Sequence, residues 1–107
     1  MNTDKVLGMI GLAKRAGKVV SGEFLCEKAI KERAAKLVVI ACDTSEGGKK
    51  SIRDACNYYK IRYIEYGDKE SLGKFTGGGG QRAALAVTDR RFAGAIMEKY
   101  SAGRNNG

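Results

Sequence analysis

Lys36-Leu37-Val38-Val39-Ile40-Ala41-Cys42, continued by Asp43-Thr44-Ser45 and preceded by Lys18-Val19-Val20-Ser21-Gly22-Glu23 and a helix, is the stretch that decides the fold. The run Leu37 to Cys42 is apolar at every position, which suits a central strand covered by helices on both faces. Ser21-Gly22 before it and Thr44-Ser45 after it read as strand-to-helix turns. Helix N-termini present unpaired N–H groups and a partial positive charge, so both turns are natural phosphate contacts. The chain carries 20 Lys and Arg against 12 Asp and Glu, a net charge of +8. That excess favours a polyanionic partner, and with the two turns it points to nucleic acid. The basic residues are spread along the chain, so folding must gather them into a face. The plainer alternative is a generally basic soluble protein.

A length of 107 residues leaves room for one core. Residues 1–100 are expected to form a single domain and residues 101–107 a disordered tail. No apolar run approaches the roughly 20 residues of a membrane span. Met1-Asn2-Thr3-Asp4 lacks the basic and apolar regions of a signal peptide, so a cytoplasmic protein without membrane contact is expected. Cys26, Cys42 and Cys56 are odd in number and lack CxxC spacing, and the chain has no histidine. The cysteines read as small core residues, with no metal, cofactor or disulfide framework expected. Without histidine, imidazole acid–base chemistry and histidine-dependent triads are excluded.

Thr3 or Asn2 can cap a first helix with Val6, Met9, Ile10 and Ala13 on its inner face, stopped at Gly17. A second helix starts at Ser21 or Gly22, with Leu25, Cys26, Ala29, Ile30 and Arg33 inward. Ser45 opens a third, on the stripe Ile52, Ala55, Cys56 and Tyr59, although Gly47 and Gly48 could delay its start. Ile61 to Tyr66 alternates as a strand, Lys69 to Gly73 allows about one helical turn, and Gly77 to Gly80 forms a flexible loop. Ala83 to Thr88 is a strand, and Asp89 to Tyr100 is a closing helix on Phe92, Ile96 and Tyr100. This alternation predicts a three-layer α/β/α sandwich with a central sheet of about four strands.

Neither nucleotide-loop motif survives inspection. Gly67 and Gly73-Lys74 are separated by five residues, and Phe75 stands where a phosphate loop needs a hydroxyl. Gly77-Gly78-Gly79-Gly80-Gln81-Arg82 lacks the last glycine of a dinucleotide fingerprint and leads into a strand. It is either a plain linker or a loop closing over a ligand, with Arg82 nearby. Phe24 lies nearly opposite the apolar stripe of the second helix, on the side shared by Lys28 and Lys31. It could stack on an unpaired base, or pack beneath the glycine loop. Lys49, Lys50 and Arg53 could extend a phosphate track from Thr44-Ser45, or form a solvated helix face. Asp43 stands beside no second acid, base or nucleophile, which favours a turn-forming role.

The order of these pieces resembles the kink-turn RNA-binding ribosomal proteins, the archaeal and eukaryotic large-subunit proteins seven-A and thirty, with their bacterial relatives. The resemblance rests on Gly22, Lys28-Ala29, Ala35 to Ala41 with Asp43, Leu72-Gly73-Lys74 and Arg82-Ala83-Ala84. It is strengthened by Leu12-Ala13, Arg15-Ala16 and Lys18 to Glu23, by Asp54 and Cys56 to Lys60, and by Ala86 to Asp89 with Phe92-Ala93. It spans nearly all of the chain up to Tyr100 and implies a ribosomal protein thirty-like fold that binds a sharply bent RNA loop.

In that family the start of the second helix carries Asn and Glu that read sheared base pairs. Here Phe24 and Leu25 stand in those places, and four glycines occupy the last RNA-contacting loop. The expected function is non-enzymatic binding of structured RNA, ribosomal RNA foremost, by a monomer associated with the ribosome or translation. Gly22, Glu23, Phe24 and Lys28 would form the face, with Lys18 on the adjoining strand. Asp43, Thr44, Gly78, Gly79, Gln81 and Arg82 would complete it. The alternative is an assembly module that kept the fold and uses Phe24 and Leu25 to hold a protein partner.

Overall fold

The computed structural model describes residues 4–77 and 79–105. The expected caps Asn2 and Thr3 lie outside them, as does Gly78. Nine elements follow in order: α1 (Lys5–Arg15), β1 (Val19–Ser21), α2 (Glu23–Lys31), β2 (Leu37–Ile40), α3 (Glu46–Tyr59), β3 (Tyr63–Glu65), α4 (Lys69–Phe75), β4 (Ala84–Val87) and α5 (Arg90–Asn105). The four strands form one sheet in the order β1-β4-β2-β3. β2 and β3 run parallel across the α3 crossover, and β4 is antiparallel to both β1 and β2.

The continuous apolar run of β2 has the expected consequence. Leu37 and Val39 pack with α1, α4 and α5, whereas Val38 and Ile40 pack with α2 and α3. Every residue of β2 and β4 is buried, as period-two alternation requires of central strands with helices on both faces. The result is the three-layer α/β/α sandwich. Ile10, Leu72 and Ile96 fill one interlayer space, and Ile30, Ile52 and Cys56 fill the other.

Local chemistry sets the ends of these elements. Asp4 caps α1 by accepting from the Leu7 amide at 2.9 Å, and its other oxygen accepts from the Tyr66 hydroxyl at 2.8 Å. One carboxylate thus ties the start of α1 to the end of β3. Ser45 caps α3 through the Gly48 amide, and Asp68 with Ser71 forms a reciprocal capping box on α4. The glycines at 47 and 48 do not delay α3, which begins at Glu46. α4 extends to Phe75, two residues beyond the expected turn. α5 continues through Asn105, past Tyr100, where a tail is expected from the sequence.

Three inner-face assignments need correction. Leu25 is 45% exposed, because the buried stripe of α2 is confined to Cys26, Ala29 and Ile30. Arg33 lies beyond the helix in the left-handed region at φ 60° and is exposed. Cys42 is exposed because β2 ends at Ile40, and its amide donates to the Gly67 carbonyl in a turn.

Candidate nucleic-acid interface at one sheet edge

β1, β2 and β3 end at the edge of the sheet where β4 begins, so four connections meet there. These are the β1–α2, β2–α3 and β3–α4 turns and the glycine loop before β4. Hydrogen bonds lock them together. The Gly22 amide donates to the Ala84 carbonyl at 2.9 Å. The Ala83 carbonyl accepts from the Ala41 amide at 2.8 Å and from the Thr44 hydroxyl at 2.9 Å. The Lys69 amide donates to the Asp43 carboxylate at 2.9 Å, and the Arg82 amide donates to the Lys69 carbonyl at 3.0 Å. Arg82 Nε reaches the Ser21 hydroxyl at 3.2 Å. Each turn is therefore held by at least one other.

The N-termini of α2, α3 and α4 all open on this edge, but they are not equivalent. Ser45 and Asp68 spend their side chains on the first turns of α3 and α4. Gly22 precedes α2 at the cap position, with φ 99° and ψ 152° and no capping side chain. That left-handed conformation favours glycine, and it leaves the first amides of α2 without a capping side chain. Phe24 and Leu25 flank this open end, 79% and 45% exposed. The carboxylate of Glu23 leans toward Gly48, in the first turn of α3. A Cβ at Gly48 would lie 3.1 Å from Glu23 Oε2 and 3.0 Å from Thr44 Cγ2. Gly48 thus permits the close approach of α2 to α3.

Gly73 has a similar role beneath the glycine loop. A Cβ there would overlap the carbonyl oxygen of Gly80, so the loop rests directly on the α4 backbone. Glu70, Lys74, Gly79, Gly80 and Gln81 line a shallow groove beside this contact. Lys74 lines this groove but is missed by sequence reasoning, although Gly73-Lys74 directly before the glycine run is a signal that could have found it. Ser21, in a turn read from the sequence as a phosphate contact, meets Arg82 from 61 residues away, a pairing that nothing local marks.

The edge brings together Gly22, Glu23, Phe24, Asp43, Thr44, Gly79, Gln81 and Arg82. Lys28 stands farther along α2 and pairs with Glu32 at 2.8 Å. Lys18 is not part of the group. Its carbonyl accepts from the Thr88 amide, at the start of β1 and the far end of the sheet from Gly22. Thr44 is buried and its hydroxyl is spent within the chain, so it positions the turn. Asp43 likewise holds a turn, through the Lys69 amide. Of the two readings of the cations on α3, phosphate track or solvated helix face, their pairing favours the second: Lys49 and Arg53 reach Glu65 at 3.2 and 3.3 Å, and Lys50 reaches Asp54 at 2.7 Å.

The buried thiols Cys26 and Cys56 are kept from reaction. Burial pushes Cys26 up to about 12 and Cys56 up to about 11, which keeps both protonated at neutral pH. Among the described residues no cluster of His, Cys, Asp or Glu could hold a metal ion, and no helix is long and apolar enough to cross a membrane.

Helices on both faces of a small mixed sheet, with three helix starts and a glycine loop converging on one edge, define a class of α/β/α proteins. Residues 4–96 match the Ribosomal protein L7Ae/L30e/S12e/Gadd45 family, and the chain belongs to that family. It is 43% identical over 89 residues to the RNA-binding protein YlxQ of Bacillus subtilis (strain 168), covering 83% of this chain and 88% of the relative. It is 35% identical over 97 residues to the RNA-binding protein YlxQ of Enterococcus faecium, covering 91% and 92%. Among solved structures, a protein with unknown function from Bacillus halodurans C superposes with a TM-score of 0.86 at 28% identity, covering 92% of this chain and 99% of that one. The Giardia lamblia 15.5kD RNA binding protein shares the fold at a TM-score of 0.77 and 17% identity, covering 95% and 89%.

Proposed function

We propose that this chain binds structured RNA at the edge formed by the start of α2, the β2–α3 turn and the glycine loop. The observation that carries this reading is the uncapped α2 N-terminus flanked by exposed Phe24 and Leu25. Open amides hold phosphate, and an exposed ring beside them accepts an unstacked base. The bound element is a sharply bent internal loop of the kink-turn kind, read through backbone and stacking because Phe24 and Leu25 carry no base-reading polar group. Ribosomal RNA is the intended target, with a role in the ribosome or translation. The function is binding and not catalysis, in keeping with the high-pKa thiols of Cys26 and Cys56 and the absence of histidine from the sequence.

Titrating a kink-containing RNA and a straight duplex at several salt concentrations tests this. Contacts to about three to five phosphates give a slope of log affinity against log salt of roughly −2 to −5. Preference for the kinked RNA, lost in Phe24→Ala, is the expected result. No RNA binding at low salt sinks the reading and leaves Phe24 and Leu25 as anchors for a protein partner.

A further inference from the structure

The positive charge is not where that site is. The proposed edge holds Glu23, Asp43, Glu46, Asp68 and Glu70 against Lys69, Lys74 and Arg82. The opposite edge is where β1 and β2 begin, β4 ends, α2 and α3 finish and α5 starts. There Lys18, Lys36, Lys60, Arg62, Arg90 and Arg91 are all exposed. The four ion pairs among the described residues use Lys28, Lys49, Lys50 and Arg53, and none of those six. The nearby acids are occupied: Glu32 pairs with Lys28, and Asp89 caps α5 through the Phe92 amide.

The sheet register arranges part of this group in a row. Thr88 donates its amide to the Lys18 carbonyl, and Lys36 donates its own to the Val87 carbonyl. Arg62 presents its carbonyl to the Val38 amide on the next strand. With about 5 Å between strands, Lys18 and Lys36 start about 10 Å apart, with Arg62 about one strand farther on. Arg90 and Arg91 add two cations at the positive end of α5, whose first turn holds no acid and whose capping carboxylate, Asp89, is engaged by the Phe92 amide. Two guanidinium groups and the helix dipole outweigh that one carboxylate, so a further anion is favoured there. Tyr58, 77% exposed near the end of α3, has its ring edge-on to Tyr59, whose ring also lies 5.4 Å from the Arg33 guanidinium.

We infer that this opposite edge is a second RNA-binding surface, which holds the phosphate backbone of a duplex segment irrespective of sequence. A row of cations that join none of the ion pairs, with the nearby acids Glu32 and Asp89 already engaged, complements a row of phosphates, and the flat Tyr58 ring can lie on a sugar or terminal base. The inference goes beyond the first site and does not require it. A protein with both edges occupied would bridge two RNA segments.

The test uses the full chain and a short straight RNA duplex. The variant Lys18→Gln/Lys36→Gln/Arg62→Gln should make the salt slope shallower by about 2 to 3, at about 0.7–0.9 per phosphate lost. The single Lys36→Gln should give about one third of that change, which keeps the test valid if the triple variant misfolds. The control Lys5→Gln/Lys50→Gln/Lys99→Gln, with equal charge removed elsewhere, should keep the wild-type slope, and Phe24→Ala should leave duplex binding unchanged. An unchanged slope in the folded variants, or an equal loss in the control, overturns the second surface. The kinked RNA reports separately on the first site, through its dependence on Phe24.

Discussion

Phe24 separates stability from binding at a single residue. It is solvent-exposed, whereas Ile30 on the same helix is fully buried between α2 and the sheet. Phe24→Ala should therefore cost well under the roughly 3–5 kcal/mol of a buried phenylalanine, while Ile30→Ala should cost about 2–5 kcal/mol. The same Phe24→Ala should weaken binding of kinked RNA by about 1–3 kcal/mol if the ring stacks on a base. Urea midpoints with RNA titrations check the pair, and a large loss of stability in Phe24→Ala with affinity intact would sink the assignment. Phe24→Asn restores the amide that resembling proteins carry at this place, so tighter kinked-RNA binding would show an unchanged platform with an altered reader. Tyr66 makes a separate prediction. Burial, then its hydrogen bond to Asp4, raises its pKa from 10.0 to about 12. The folded state thus holds this proton more tightly than the unfolded chain. The resulting stabilisation is complete below pH about 10 and is lost as pH rises toward about 12. Wild type should be more stable than Tyr66→Phe at neutral pH, with the gap in melting temperature narrowing across that range.

Among the elements, the glycine loop rests directly on the helix that precedes it. Its carbonyl at Gly80 lies where any side chain on Gly73 would begin, and Gly79 sits in the left-handed region at φ 69°. Gly73→Ala must lift the loop from α4, and Gly79→Val must strain it directly. Both should lower RNA affinity, and Gly79→Val should lower the melting temperature less than Gly73→Ala, because an exposed loop can shift to relieve its strain whereas Gly73 is buried against Gly80. Unchanged affinity in both would reduce the loop to a connection. The strand–helix order, the burial of β2 and the start of α2 were legible because each is written in adjacent residues. Leu25 was assigned inward because an apolar residue beside Cys26 looks like stripe, although α2 buries only Cys26, Ala29 and Ile30. Lys18 was grouped with Gly22 by proximity in sequence, while the intervening strand carries the two to opposite ends of the sheet. Gly73 under Gly80, and Ser21 beside Arg82, were illegible because only the tertiary fold brings them together.

At the scale of the whole molecule, the two edges divide the work of binding between charge and contact. The sequence shows a dispersed excess of +8, and the fold concentrates exposed unpaired cations at the edge away from α2's open end. Long-range attraction acts during approach and is screened beyond about 10 Å at 0.1 M salt, so the basic edge should govern how fast RNA arrives. Stacking on Phe24 and amide contacts at α2 act only after docking, so they should govern how slowly kinked RNA leaves. The variant Lys18→Gln/Lys36→Gln/Arg62→Gln should therefore slow association with kinked RNA by about tenfold at low salt, with dissociation altered by less than about threefold. Phe24→Ala should do the reverse, speeding dissociation by roughly 5–150-fold while leaving association near wild type. Raising the salt should bring the association rates of wild type and the triple variant together, because screening removes the field that distinguishes them. Stopped-flow traces for both variants at several salt concentrations decide the matter. If both substitutions change the same rate constant, RNA meets a single continuous surface, and the division between a steering edge and a gripping edge is wrong.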